Sequence, residues 1–240
     1  MTGDHHPRQG ADRPTTVLLV RHAATDDGDL SEPFPLVDGR GDPPLSALGR
    51  AQARHLADRL GDAGPGALYV SGLRRTLETA RPLATRTGLR PVVEPALAEL
   101  HLGEWEAGRY RYHLAADDHR ALLAFVHGRW EAIPGAEPLA FVATRGRSAL
   151  DGMARRHPGE LVVAFTHRIL IDVLLGRIAA PAARSYAGAD HTSVTTLVGT
   201  ATAWHLVAFN DTSHLGPAVL VPLDPAATSA PTDFPDEERP

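Results

Sequence analysis

The chain has 240 residues, with 24 basic, 29 acidic and 13 His side chains, a net charge of −5 and no Cys. Without Cys there are no disulfides, thiolate nucleophiles or Cys–zinc sites; every Lys/Arg position is Arg, which excludes a P-loop Lys, Schiff-base chemistry and a Lys general base. Net negative charge without a basic run argues against nucleic acid as a partner, and no apolar run approaches the roughly 20 residues of a membrane span.

Taken in chain order, residues 1–14 are polar and lack apolar periodicity, so a disordered lead is expected. They also lack the basic region and apolar stretch of a signal peptide, and a cytoplasmic location is expected. Thr16-Val-Leu-Leu-Val20 is a short continuous apolar run of the kind that forms a strand buried on both faces. Residues 30–42, Pro-rich and containing Phe34, read as a substrate-facing loop or lid. Ser46 is a candidate N-cap, followed by Ala53, Leu56, Ala57 and Leu60 at helical spacing. Residues 67–70 read as a second strand, and Leu73, Leu77, Ala80 and Ala84 as the buried stripe of a helix that Pro82 should kink or restart. Further strands are expected at 91–93, 161–165, 193–198 and 204–209, the last two as a hairpin across Gly199-Thr200-Ala201. Helices are expected at 139–156 and from Arg168 to about 175. Residues 222–240, with five Pro and Asp236-Glu237-Glu238, read as a disordered acidic tail. One domain over 15–221 follows, with strand–helix alternation implying a mostly parallel sheet covered on both faces by helices.

In such folds the site lies beyond the carboxyl ends of the strands. Arg21-His22 follows the first strand, Ser71-Gly-Leu-Arg74-Arg75 the second, Glu99 the short third, and His167 the strand at 161–165. Any one of these alone is more often structural or solvated; Glu99, for instance, could simply cap a helix or pair. Together they make chemical sense. A neutral imidazole attacks phosphorus when one ring nitrogen is free and the other is held as N–H. A transferring phosphoryl group needs fixed positive donors, which Arg21, Arg75 and an N–H of His167 would offer. The helix starting at Arg168 would add backbone N–H groups, nearby cations would lower the pKa of His22, and Glu99 would donate a proton to the leaving oxygen. Trp105, Trp130 and Tyr110 could line a pocket or fill the core, and core packing is the default expectation.

The same residues resemble the histidine phosphatase (phosphoglycerate mutase-like) superfamily. Leu19-Val-Arg-His-Ala-Ala-Thr25 is similar to its strand followed by Arg-His-Gly/Ala-x-Thr. Asp42-Pro-Pro-Leu-Ser-Ala-Leu-Gly-Arg-Ala-Gln52 is similar to its Asp-x-Pro-Leu-Ser/Thr-x-x-Gly-x-x-Gln. Ser71-Gly-Leu-Arg-Arg-Thr-Leu-Glu-Thr-Ala80 matches Ser-x-Leu-x-Arg-x-x-x-Thr-Ala, which selects Arg75 over Arg74. Glu99 with Gly103-x-Trp105-Glu106, then Thr166-His167, and Phe209-Asn-Asp-Thr-Ser-His-Leu215 complete the resemblance over roughly residues 16–215. It implies a three-layer α/β/α sandwich, a phosphohistidine at His22, catalytic Arg21, Arg75, Glu99 and His167, a substrate contact from Thr25, and no cofactor or required metal; Arg168, which departs from the family pattern, is a further candidate substrate contact. The partner it implies is a small-molecule phosphate monoester, and a homodimer is compatible with it.

Departures bear on the substrate. Gly28 stands where the family often has Asn, Asp38-Gly39 where it has Gln-Gly, and Arg168 where Gly follows the second His. Asp38 would repel phosphate unless it points away or binds a cationic part of the substrate; Arg168 adds a positive contact, crowds the pocket or faces solvent. Thr25 and Gly28 in place of the Ser and Asn of glycolytic mutases favour hydrolysis over mutase chemistry. Retention of His22, Arg21, Arg75, Glu99 and His167 disfavours a silent phospho-ligand-binding module.

Overall fold

A computed structural model describes residues 13–179, 188–216 and 219. The expected lead up to residue 12 and the tail from residue 222 lie outside the described residues. The strands are β1 (Thr15–Arg21), β2 (Leu36–Val37), β3 (Arg40–Gly41), β4 (Ala67–Val70), β5 (Val92–Val93), β6 (Leu161–Thr166), β7 (Val194–Gly199) and β8 (Trp204–Asp211). The helices are α1 (Ala47–Gly61), α2 (Arg74–Thr87), α3 (Tyr110–Ala115), α4 (His119–Ala121), α5 (Leu139–Arg156) and α6 (Arg168–Ile178).

The main sheet runs β5-β4-β6-β1-β7-β8. Its first four strands are parallel, while β7 is antiparallel to β1 and β8 to β7. Strand alternation explains the continuous apolar runs. In β1, Val17 and Leu19 join Tyr69, Val162 and Ala164 under α5 and α6. Leu18 and Val20 join Leu68, Val70, Val163 and Phe165 under α1 and α2. Successive side chains point to opposite faces, so a strand covered on both sides must be apolar at every position. Each large aliphatic side chain buried this way contributes about 1.5–3 kcal/mol. The expected three-layer sandwich is the observed fold.

Local details follow from close packing. Ser46 caps α1, its Oγ accepting from Gly49 N. A Cβ on Gly49 would stand 1.9 Å from Ala24 O, so only glycine lets α1 approach the segment after β1. The expectation for α2 needs correction. The helix runs unbroken through Pro82; Leu73, Ala80 and Ala84 pack inward as expected, but Leu77 is exposed while Arg75, Thr76, Thr79 and Leu83 join the buried side. Arg75 turns inward toward the polar edge, and packing against α1 carries the chain across the missing Pro82 N–H.

Residues 30–42 contain the small hairpin β2–β3, closed by Asp38 and Gly39 at φ 48° and 75°. Those angles are the left-handed pair of a two-residue hairpin turn, which Asp-Gly suits. Between β5 and α5 the chain makes an excursion of short helical segments, including α3 and α4. It encloses Trp105, Ala121, Ala124 and Ile133.

Candidate active site

The carboxyl ends of β1, β4 and β6 meet at one edge of the sheet, and each delivers a polar side chain there. His22 follows β1, Ser71 follows β4, and His167 follows β6 and sits at the N-cap of α6. Arg75 enters from the first turn of α2, and Glu99 from the start of the excursion. The five expected catalytic residues are thus brought together. The His22 and His167 ring centroids are 5.1 Å apart. The ionic neighbours of Glu99 include Arg75 and Arg21.

His22 is held in one tautomer. Its Nδ1–H donates to Ala23 O at 2.8 Å, and Nε2 has no partner among the described residues. Backbone bonds fix the ring's base: His22 N donates to Thr166 O, Ala23 N to Thr79 Oγ1, and Ala24 N to Gln52 Oε1. Burial first, then the charges of Arg75 and other neighbours, hold the imidazolium form far below its usual range. At neutral pH this is a neutral imidazole with a free lone pair.

His167 is fully buried, and both its ring nitrogens are engaged. Arg75 Nε donates to Nδ1 at 3.2 Å, so Nε2 carries the proton and donates to Ser71 Oγ at 2.9 Å. Ser71 Oγ then donates to Thr76 Oγ1, which donates to Leu73 O. The chain of donors has one consistent direction and leaves His167 no spare N–H in this structure. The second N–H was expected there; it is found instead on His191. His191 Nε2 accepts from Arg21 Nη2 at 2.9 Å, which places the proton on Nδ1, where no described residue takes it. The ring lies 5.6 Å from that of His22 and lines the same cavity.

His191 was missed because it precedes a strand instead of following one. β7 is antiparallel to β1, so its amino end lies at the edge where the parallel strands end. The sequence signal available was a histidine two residues before a hairpin whose first strand reverses direction.

The guanidinium groups are tied down as well. Arg75 Nη1 donates to Gly41 O at 2.8 Å and faces Asp42 at 3.7 Å, while Asp42 also accepts from Arg74 N. Arg21 Nη1 donates to Ala189 O at 2.7 Å, and its buried Nε has no partner among the described residues. Burial and the charge of Arg168 bring the Arg21 pKa down to about 10, still cationic at neutral pH. Glu99 accepts from Leu100 N at 3.0 Å and from Ile169 N and Leu170 N at 3.3 Å. The α6 N–H groups expected to face a phosphate are therefore taken by this carboxylate, an anion already placed at the helix N-terminus. Burial still outweighs those bonds and raises the Glu99 pKa above the usual carboxylate value.

The polar edge opens on a cavity of about 310 Å³ that also takes in Thr25, Arg168, Tyr110 and Trp130. Only Trp105 of the three aromatics expected in the core is buried there; Tyr110 and Trp130 line the cavity because the excursion wraps around it. Thr25 bridges to Leu45, and Arg168 faces Asp172 at 3.7 Å while lining the cavity. Asp38 does not line the cavity and is exposed at the hairpin turn, so it poses no barrier to an anion; Gly28 is an exposed loop glycine.

The family model for the histidine phosphatase superfamily (branch 1) matches residues 17–212. Glucosyl-3-phosphoglycerate phosphatase of Mycobacterium tuberculosis is 35% identical over 146 residues, which are 61% of this chain and 63% of that protein. The match thus covers less than two thirds of that relative's length. The metal-independent phosphoserine phosphatase of Arabidopsis thaliana is 31% identical over 205 residues, 84% and 83% of the two chains. A probable phosphoglycerate mutase of Yersinia enterocolitica is 30% identical over 68% of this chain and 74% of its own. Among solved structures, a mycobacterial glucosyl-3-phosphoglycerate phosphatase superposes with a TM-score of 0.69 at 30% identity, covering 83% of this chain and 100% of that one. With its residues 17–212 matched and these relatives alongside, the chain belongs to the histidine phosphatase superfamily, branch 1.

Proposed function

We propose that this protein, a phosphatase of the histidine type, hydrolyses a small phosphate monoester through a phosphohistidine at His22. The observation that carries the reading is the tautomer of His22: Nδ1–H is locked on Ala23 O, and Nε2 is free at the cavity edge. In the first half-reaction Nε2 attacks phosphorus, the N–P bond forms and the P–O bond to the alcohol breaks. Glu99, its pKa raised by burial, gives its proton to the departing oxygen. In the second, water attacks phosphorus while Glu99 takes a proton from it, the N–P bond breaks and phosphate leaves. Arg21 and Arg75 neutralise the phosphoryl oxygens, with His191 Nδ1–H as a neutral donor. His167, tied between Arg75 and Ser71, orients the Arg75 guanidinium.

The reading agrees with two relatives whose names describe phosphatases. Its test is hydrolysis of p-nitrophenyl phosphate in the presence of a chelator, with trapping of an acid-labile, base-stable phosphoenzyme. His22→Ala should lose both. Undiminished turnover in that variant would remove the mechanism, and formation of a phosphate isomer without free phosphate would point to a mutase.

A further inference from the structure

The cavity has two unlike ends. Beyond the cluster at the sheet edge, its far wall is built from the excursion between β5 and α5 and from the loop before β2, through Phe34, Leu102, Tyr110, Leu114, Phe125 and Trp130. The aromatic members are packed against one another: Tyr110 and Phe125 have centroids 5.6 Å apart, and Phe125 meets Trp130 edge-on at 4.9 Å. Phe34 is held by the Arg111 guanidinium 4.0 Å over its ring. These contacts brace the wall, which lines the same cavity as His22 and so flanks the space left for the alcohol half of a monoester whose phosphorus is at His22.

Most of the charged groups on that side are already committed. Glu106 Oε1 accepts from Leu102 N at 2.8 Å and Oε2 from Gly41 N at 2.7 Å. Arg40 Nε donates to Glu99 O at 3.0 Å, and its Nη2 pairs with Glu137 at 3.4 Å. Among the described residues the rings of the wall keep two free polar groups, the Tyr110 hydroxyl and the Trp130 indole N–H, and Arg40 Nη1 is open beside them. A sugar-like alcohol entering here would trade several hydrogen bonds to water for contacts with rings. Each hydroxyl left unpaired on burial weakens binding by about tenfold or more. An apolar alcohol loses nothing comparable and gains from the area it covers.

We infer that the substrates are monoesters of alcohols with an apolar, preferably aromatic, body and few further polar groups, in contrast to the polyhydroxylated substrate named for the mycobacterial relative. The inference rests on the phosphohistidine reading only for the position of the phosphorus. The volume of about 310 Å³ suits a phosphoryl group plus a single ring with a short linker.

The test compares monoesters of primary alcohols, whose leaving groups make similar chemical demands: 2-phenylethyl phosphate against glucose 6-phosphate and glycerol 3-phosphate. The phenylethyl ester should have kcat/KM at least 100-fold higher, mostly through KM. Leu114→Asn puts an amide into the wall at a residue already 43% exposed, where folding tolerates it; it should narrow the ratio at least fivefold. Trp130→Ala should do the same more strongly, with a circular-dichroism melt as the folding check. Equal or better turnover of glucose 6-phosphate, or no turnover of the phenylethyl ester, overturns the inference. Trapping of the phosphoenzyme from p-nitrophenyl phosphate separates that failure from a failure of the mechanism. If the phosphoenzyme forms and the preference is absent, only the substrate class falls.

Discussion

Replacing Glu99 with Gln keeps the shape of the side chain and removes its proton chemistry. Glu99 is partly buried and accepts from Leu100, Ile169 and Leu170 N–H groups, so the amide keeps one accepting oxygen and turns its NH2 toward a donor. The lost cap costs about 0.5–2 kcal/mol, offset by relief from burying a carboxylate. Burial raises the folded-state pKa above the ordinary 4.5. The penalty for carrying the ionised form is therefore absent below about pH 4.5 and grows as pH rises through the folded-state value. Relative to wild type, the variant should gain stability with rising pH.

The catalytic effect depends on the leaving group. General acid catalysis is worth about 10²–10⁴-fold on an alkoxide, roughly 3–5 kcal/mol. A nitrophenolate leaves without a proton, so its phosphorylation step should fall less than about tenfold. The assay is kcat/KM for an alkyl and an aryl phosphate in both proteins, with a pre-steady-state burst to isolate the first step. Equal losses on the two substrates, or no loss on the alkyl ester, would refute the role of Glu99 as proton donor.

Other outcomes follow from the same geometry. His191→Phe keeps the ring volume but removes the acceptor for Arg21 and the free N–H; kcat should fall about 100-fold with p-nitrophenyl phosphate, and a loss under threefold would show that the donor is idle. Arg75→Lys cannot donate to both His167 Nδ1 and Gly41 O, so kcat should drop at least 100-fold even though the charge is kept. Asp172→Asn removes a carboxyl whose pKa burial lifts to about 6 from 3.8. Roughly two units correspond to about 1–3 kcal/mol. Because the folded-state value is raised, the variant's advantage in urea melts should be full above pH 6 and gone below pH 3.8; a gain that does not vary with pH would count against it. Gly49→Ala places a Cβ 1.9 Å from Ala24 O, and forcing α1 away should cost about 1–3 kcal/mol. A Tm within 1 °C of wild type would contradict that packing.

Much of this protein could be read along the chain. Continuous apolar runs predict strands covered on both faces, because the two-residue period of a strand leaves no position for a polar group between two helical layers. The placement of His22, Ser71 and His167 just after such runs, and of Arg75 one turn into a helix, predicts one polar edge, since parallel strands all end on the same side. These inferences rest on local periods and chain direction, which the order of residues alone sets.

Tertiary structure decided which nitrogen does what. His167 has no spare N–H and α6 no spare backbone donors at Ile169 and Leu170 for a phosphate, because Arg75, Ser71 and Glu99 converge on those groups from distant parts of the chain. His191 became visible only once β7 was seen to run against β1. The inward turn of Arg75 on α2, the harmless position of Asp38, and Tyr110 and Trp130 in the cavity wall share a cause. Each depends on partners far apart in sequence, and hydrogen-bond direction, burial and strand sense are properties of pairs of segments that no single segment encodes.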